Sequence, residues 1–147
     1  MINYVFKGGE ANMPILGITL NRIEGKRNEN KIGAVKVNNN TQILDVKERE
    51  LFGLNKKGLA VEFDFKTEYT LDGKEIGFIS MGGEVLIHDD RQDEILKYWK
   101  EHQELKDEWN VSILNVILRR CFIKALQMCE DLQLPPPVGL PFAEKQK

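Results

Sequence analysis

The chain has 147 residues, of which 41% are hydrophobic and 30% are charged, and its formal net charge is −2. These values are typical of one globular domain and exclude a disordered or membrane-spanning chain. The 21 basic and 23 acidic residues are mixed along the sequence without a basic stripe, so neither nucleic acid nor a membrane surface is expected as a partner. The N-terminal residues lack the apolar core of a secretory signal, which predicts a cytoplasmic protein.

Alternation of apolar and polar residues predicts the first two strands. The first covers about residues 14–24 and the second about residues 41–48. The Asn38-Asn39-Asn40 cluster between them is interpreted as a turn. Residues 51–58, which contain two glycines and a pair of lysines, are interpreted as a loop.

The third predicted strand, at about residues 59–70, is the most regular. Apolar and charged side chains alternate along it, which predicts an antiparallel sheet with one dry face and one wet face. The Asp72-Gly73 pair predicts a tight hairpin turn into a fourth strand at about residues 74–88. Gly82-Gly83 lies inside that strand and indicates a bulge or bend, because the rest of a phosphate-binding motif is missing.

Two helices are predicted after the strands, at about residues 91–105 and 111–132, and a proline-rich tail follows at 134–147. One side of the second helix carries a stripe of apolar residues that is wide enough to cover the dry face of the sheet. Its opposite side carries four large aliphatic residues among charges: Ile113, Val116, Ile123 and Leu126.

The four aliphatic residues need a second packing surface, because leaving each one exposed would forgo roughly 1.5–3 kcal/mol. We assign them to an interface between the subunits of a homodimer or homotetramer. Packing against the first helix of the same chain is the alternative. A membrane is excluded, because Arg119, Arg120 and Lys124 lie near the middle of the helix.

No constellation of residues indicates a reaction. Cys121 and Cys129 lie ~12 Å apart along one helix, too far for a disulfide, and are interpreted as buried apolar residues. His88 and His102 are not accompanied by further ligands at metal-binding spacing. We therefore expect a protein that is not an enzyme, with no catalytic residue, no metal site and no cofactor.

The order of these segments resembles the SecB-type export chaperones over about residues 59–142. The resemblance lies in the strand Val61–Phe65, in the strand Gly77–Ile87 with its Gly-Gly pair, in the helix Ile113–Ile123 and in the exit Leu132–Val138. The helix contains an Arg-x-Cys-x-Ile core, and the exit has the Leu-x-Leu-x-Pro pattern of the family. The chain also resembles short archaeal relatives of SecB.

The resemblance implies an α+β fold, in which a single SecB-like domain (1–147) has a four-stranded antiparallel sheet with helices packed on one face. It implies an ATP-independent holdase that binds unfolded or non-native polypeptides, in protein export or in a toxin–antitoxin system. Large apolar residues in the links and the tail are the candidate client contacts, and packing on the core of the chain itself is the alternative for them: Trp99, Trp109, Leu134, Val138, Leu140 and Phe142.

Three departures from the family pattern limit what carries over, and one of them is the turn after the third strand, in which only Leu71 and Glu75 correspond loosely to the acidic turn of SecB. The C-terminal helix of SecB has no counterpart in residues 143–147, so part of the client groove is absent or is replaced by the helix at 91–105. The acidic positions that SecB offers to the export motor are not recognisable in residues 13–24, so binding of that motor is not expected. The alternative function is a non-enzymatic oligomeric adaptor of the same fold that binds one folded partner.

Overall fold

The computed structural model describes residues 15–28, 33–53 and 56–139. Four strands are followed by two helices: β1 (Ile15–Arg27), β2 (Lys36–Leu51), β3 (Lys56–Leu71), β4 (Lys74–Ile87), α1 (Gln92–His102) and α2 (Asp107–Leu132). The strands form one antiparallel sheet in the order β1-β4-β3-β2, so β1 and β2 are its edges. Both helices pack on the same face of this sheet, α1 over β2 and β3 and α2 over β1 and β4. The predicted α+β architecture is confirmed.

The alternation along β3 separates the two faces of the sheet as predicted. Every second residue from Val61 to Tyr69 is buried, and the charged residues between them are partly exposed. The inner, helix-covered face is therefore apolar, and the outer face is charged. The turn between β3 and β4 is formed by Asp72 and Gly73, which both have positive φ as an Asp-Gly hairpin turn requires.

A bulge was predicted at Gly82-Gly83 of β4, but the bulge is in the neighbouring strand β1. The register between β1 and β4 shifts by one residue between Leu20 and Arg22, opposite the two glycines, whereas the pairing of β4 with β3 is regular there. A Cβ atom on Gly83 would overlap the carbonyl oxygen of Thr19. Glycine is required at this position because the bulged backbone of β1 approaches β4 closely.

Two segments differ from their predicted structure. The asparagine cluster was predicted to form a turn, but all three asparagines belong to β2, which begins at Lys36. Tertiary contacts override the local turn preference, since the side chain of Asn39 is bonded to Thr67 and to the carbonyl of Pro137. The predicted loop at 51–58 is also shorter, because β2 extends to Leu51 and β3 begins at Lys56.

The long helix α2 begins earlier than predicted and buries a stripe that winds around it. It starts at Asp107, so that Trp109 is inside the helix instead of in a link. Its buried residues recur at every fourth position: Trp109, Ile113, Ile117, Cys121, Ala125 and Cys129. A step of four residues advances about 40° beyond one full turn, so the buried side rotates along the helix as α2 crosses the sheet.

Candidate polypeptide-binding groove

A strip of the inner face along β2 is left between the two helices. Asn39, Thr41 and Ile43 alternate along this strip, opposite the buried Thr67, Phe65 and Phe63 of β3. At ~3.4 Å per residue the strip is about 14 Å long. Thr41 and Ile43 are only partly buried, so the strip offers accessible apolar surface. We call it the β2 groove.

One flank of α2 forms the wall of the β2 groove. The ring of Phe122 contacts Phe65 of β3 edge-on, with 5.3 Å between the ring centroids. On the other flank, Met128 and Leu132 approach Gly25 of β1, so the Phe122 flank faces β3 and β2. Leu118 lies one turn before Phe122 and is likewise a partly buried residue that packs against the core. The wall is therefore aliphatic and aromatic.

The helix α1 closes one end of the β2 groove. It is anchored by the buried residues Ile95 and Trp99. Between α1 and β2 lies a cavity of about 440 Å³, lined by Asp45, Val46, Lys47, Glu48, Leu96, Trp99, Lys100 and Gln103. The lining of this cavity is therefore amphipathic.

The segment after α2 closes the other end; we call residues Gln133–Gly139 the strap. Leu134 is buried against Gly77 of β4, and Arg27 of β1 donates hydrogen bonds to the carbonyls of Leu132 (3.1 Å) and Gln133. The strap then reaches β2, where the side-chain amide of Asn39 donates to the carbonyl of Pro137 at 2.8 Å. Three strands thus fix the path of the strap.

Asn39 supplies the polar group on the floor of the β2 groove at the end that the strap closes. The hydroxyl of Thr67, which is completely buried, donates to the amide oxygen of Asn39 at 2.7 Å. This bond orients the amide so that its NH₂ group points at an extended backbone that crosses above it. The arrangement can hold the carbonyl of a polypeptide, and the strap uses it in this way.

Three of the six predicted client contacts are buried in the core of the chain itself. Trp99, Trp109 and Leu134 belong to the same hydrophobic cluster as the inner face of the sheet. Their assignment assumed that aromatic and aliphatic residues in links and tails are exposed, and the structure corrects this assumption. Val138 lies in the strap and is partly buried. Leu140 and Phe142 lie outside the described residues.

The corner between α1 and α2 surrounds the ring of Trp109. The ammonium group of Lys106 lies 4.9 Å from the centroid of the Trp109 ring and 5.5 Å from that of Tyr98, and it forms a 3.0 Å ion pair with Glu94. Cation–π contacts of this kind contribute about 0.5–1 kcal/mol when partly exposed. The corner fixes α1 relative to α2 and so fixes the closed end of the β2 groove.

The second apolar surface lies on the outward side of α2 and differs from the predicted set by one residue. Ile113 is completely buried inside the chain, since the winding stripe faces the sheet there. Val116 and Leu126 are partly buried, and Ile123 is 55% exposed. Ile23 of β1 is 47% exposed on the inner side of the same edge, next to α2. We call Ile23, Val116, Ile123 and Leu126 the α2 outer surface.

The outer face of the sheet is covered by ion pairs between strands. Arg22 of β1 bonds Asp64 and Ser80, Lys47 bonds Glu62, and Arg49 bonds Glu84. Surface pairs of this kind contribute about 0–1 kcal/mol each. Their more important effect is to neutralise acidic residues on this face, because Glu62, Asp64 and Glu84 each have a basic partner.

The buried cysteines are held in their neutral form. Burial raises the pKa of the Cys121 thiol to about 11 and also raises the pKa of Cys129. A thiol with a raised pKa is a poor nucleophile and a poor metal ligand near neutral pH. Across the described ranges no group of three or more histidine, cysteine or carboxylate side chains is arranged to hold a metal ion, and no helix there is long and apolar enough to cross a membrane.

Comparison with known proteins gives one structural match. The fold is similar to that of a SecB-like chaperone from Mycobacterium tuberculosis, solved in complex with a peptide from the antitoxin HigA1. The TM-score is 0.56 over 93% of this chain and 94% of the other, at 12% sequence identity. No protein-family model and no curated protein matches the chain. The match shows that this fold is SecB-like.

Proposed function

We propose that this protein is an ATP-independent, SecB-like holdase that binds unfolded or non-native polypeptides in the β2 groove. The observation that carries the proposal is the accessible apolar strip along Thr41 and Ile43, in a fold that in M. tuberculosis belongs to a chaperone bound to a peptide. An extended apolar segment matches this strip in shape and chemistry. The protein is therefore proposed to act as a binding module and not as an enzyme.

The cellular role of the holdase is also a proposal. The structural neighbour was solved with an antitoxin peptide, which supports a role in toxin–antitoxin control. Docking to an export motor through an acidic sheet face has less support, because the outer acidic residues Glu62, Asp64 and Glu84 are paired with basic ones. A cytoplasmic location fits either role.

We further propose that the protein assembles as a homodimer or homotetramer through the α2 outer surface. The surface combines the exposed Ile123 with the partly exposed Val116 and Leu126 and with Ile23 of the adjacent strand edge. Contiguous exposed aliphatic residues of this kind mark protein–protein contacts.

The test of the proposed function is the binding of a fluorescent polypeptide that is kept unfolded by reduction and alkylation of its cysteines. We expect micromolar or tighter binding without ATP, and about 10-fold weaker binding for the double variant Ile43→Thr, Leu118→Gln, which removes apolar groups from floor and wall. Phe52→Ser is the matched control, because Phe52 is 95% exposed at the β2–β3 turn, away from the groove.

Two outcomes would contradict the proposal. In the first, the wild-type protein has no affinity for the unfolded polypeptide. In the second, the groove variant and the Phe52→Ser control lose affinity for this polypeptide equally. High affinity for one folded protein together with no affinity for the unfolded one would instead indicate an adaptor.

A further inference from the structure

The two halves of the strap are held unequally. In the first half, the side chain of Leu134 is buried, and Arg27 donates hydrogen bonds to the two backbone carbonyls that precede it. In the second half, residues 135–139, the bond from Asn39 to the carbonyl of Pro137 is the one hydrogen bond to the rest of the described chain. The strap is therefore fixed at its start and is held beyond that point by a single polar contact.

The second half of the strap is stiff. Pro135, Pro136 and Pro137 each have a fixed φ and no backbone N–H, so they favour a polyproline II helix and cannot pair with a strand. Such a helix has three residues per turn. Leu134 and Pro137 lie three residues apart and are both buried, whereas Pro136 between them is exposed. One edge of a short rod therefore lies on the protein, and any movement of the rod would lift it as a unit about Leu134.

The bond that holds the rod is reachable from solvent. Asn39 lies on an edge strand and is exposed, although Thr67 of β3 is completely buried. Because the Thr67 hydroxyl is bonded to the amide oxygen of Asn39, the NH₂ group of Asn39 stays available for whichever carbonyl lies above it. A neutral hydrogen bond of this kind favours the closed strap by only about 2- to 10-fold, and burial of the Pro137 ring adds to this preference.

We propose that residues 135–139 form a hinged latch, which opens about Leu134 and releases the amide of Asn39 to the backbone carbonyl of a client. The client carbonyl replaces that of Pro137, so the exchange conserves the number of hydrogen bonds. A bond to the main chain does not depend on the side chains of the client, which suits the binding of non-native polypeptides. The part of this inference that concerns clients rests on the proposed function, but the opening of the latch does not.

Opening is measured on the free full-length protein as the distance between two nitroxide spin labels, by double electron–electron resonance. The labels are attached through Gly139→Cys and Glu50→Cys. Nothing lies within 4 Å of a Cβ at Gly139, and Glu50 is exposed about 35 Å along β2 from Asn39. The native Cys121 and Cys129 are buried, so the labels react at the two introduced positions.

Asn39→Asp breaks the latch without a change of shape. One carboxylate oxygen still accepts from Thr67, but the other faces the carbonyl of Pro137, which needs a donor. The distance distribution should be narrow in the labelled wild-type protein and broader in Asn39→Asp. Asn40→Asp is the matched control, because it makes the same change at the next exposed position of β2 and should leave the distribution narrow. A distribution that Asn39→Asp does not alter, or one that is already broad with Asn39 in place, would overturn the latch.

Client affinity separates this inference from the proposed function. The variant Pro135→Gly, Pro136→Gly makes the rod flexible and keeps the amide of Asn39, so it should open the strap and strengthen binding of the fluorescent unfolded polypeptide about 5-fold. Asn39→Asp also opens the strap but has no donor for a client carbonyl, so it should bind the polypeptide less tightly than the glycine variant does.

The outcomes are distinguishable. An open strap in the glycine variant with unchanged affinity for the unfolded polypeptide would refute the role of the latch in client binding. If the strap opens in both variants and neither they nor the wild-type protein bind the unfolded polypeptide, the latch is supported and the proposed function is refuted.

Discussion

The hydroxyl oxygen of Tyr69 and the sulfur of Cys129 lie 2.9 Å apart in the core, where they join the end of β3 to the C-terminal part of α2. Burial raises the pKa of both groups, so each remains neutral near physiological pH. The contact holds the C-terminal part of α2 against β3.

Removal of this contact should destabilise the protein modestly. Tyr69→Phe deletes one buried hydrogen bond, which contributes about 0.5–1.5 kcal/mol to the free energy of unfolding. Urea denaturation of Tyr69→Phe, Cys129→Ala and the double variant forms a thermodynamic cycle. The two changes should be non-additive, since the second removes a partner that is already lost. Strictly additive effects would show that the two groups do not interact.

Asp89 should make stability depend on acidic pH. Its nearly buried carboxylate accepts hydrogen bonds from the Arg91 backbone (2.8 Å) and guanidinium group (3.1 Å), and the guanidinium bond lowers the pKa of Asp89 below its ordinary value of 3.8. A carboxyl whose pKa is lower in the folded state stabilises that state above the ordinary pKa. The stabilisation is lost as the pH falls through the folded value.

We therefore expect Asp89→Asn to lower the free energy of unfolding by roughly 1–2 kcal/mol at pH 7, since Arg91 is partly exposed. The difference from the wild-type protein should begin to shrink as the pH falls below about 4, where the unfolded chain takes up a proton at this carboxyl, and should be lost as the pH falls through the lowered folded-state pKa of Asp89. Urea denaturation at pH 7 and at pH 3 measures this, with the exposed neighbour Asp90→Asn as the control. A difference that is unchanged at pH 3 would contradict the electrostatic origin.

The bulge of β1 should not tolerate a side chain at Gly83. Alanine there would place its Cβ against the backbone of Thr19 and Leu20, which cannot move without disturbing the pairing of β1 with β4. We expect Gly83→Ala to cost about 1–3 kcal/mol, as overpacking does. Gly17→Ala is the matched control in the same sheet region, because nothing lies within 4 Å of its Cβ. Thermal unfolding followed by circular dichroism compares them, and equal midpoints would be incompatible with the close approach.

The α2 outer surface predicts the oligomeric state. Light scattering coupled to size-exclusion chromatography should give a multiple of the 16.9 kDa subunit mass at micromolar concentration. The variant Val116→Asp, Ile123→Asp should elute as a monomer, because two carboxylates would be buried without partners in the interface. Gln42→Glu, which adds a charge at an exposed position of β2 on the opposite edge of the sheet, should leave the assembly intact. A wild-type monomer at high micromolar concentration would refute the assembly.

Sequence periodicity was sufficient to predict the sheet and its hairpin because these features depend on local patterns. The alternation along β3 and the Asp72-Gly73 turn each specify one geometry. The structure of Asn39 was not predictable in this way, because its preference for a turn is overridden by Thr67 and by Pro137, which is 98 residues away. For the same reason the sequence did not predict that Asn39 lies on the floor of the β2 groove.

The site was harder to predict than the fold because burial in α2 depends on how the helix crosses the sheet. A straight apolar stripe predicts that Ile113 faces outward, but the crossing angle makes the stripe wind and brings Ile113 into the core. Trp109 is covered by the corner that Lys106 and Tyr98 form, and Trp99 of α1 belongs to the core cluster. The partial exposure of Thr41 and Ile43 along an edge strand was the signal that could have indicated the groove.

The central claim is that the β2 groove holds non-native polypeptides without ATP, and its most direct test is the suppression of aggregation. A chemically denatured enzyme is diluted into buffer with increasing amounts of the protein, and light scattering is recorded. We expect the wild-type protein to suppress scattering at near-stoichiometric ratios and the Ile43→Thr, Leu118→Gln variant to suppress it far less. Undiminished scattering at a several-fold molar excess of wild-type protein would contradict it.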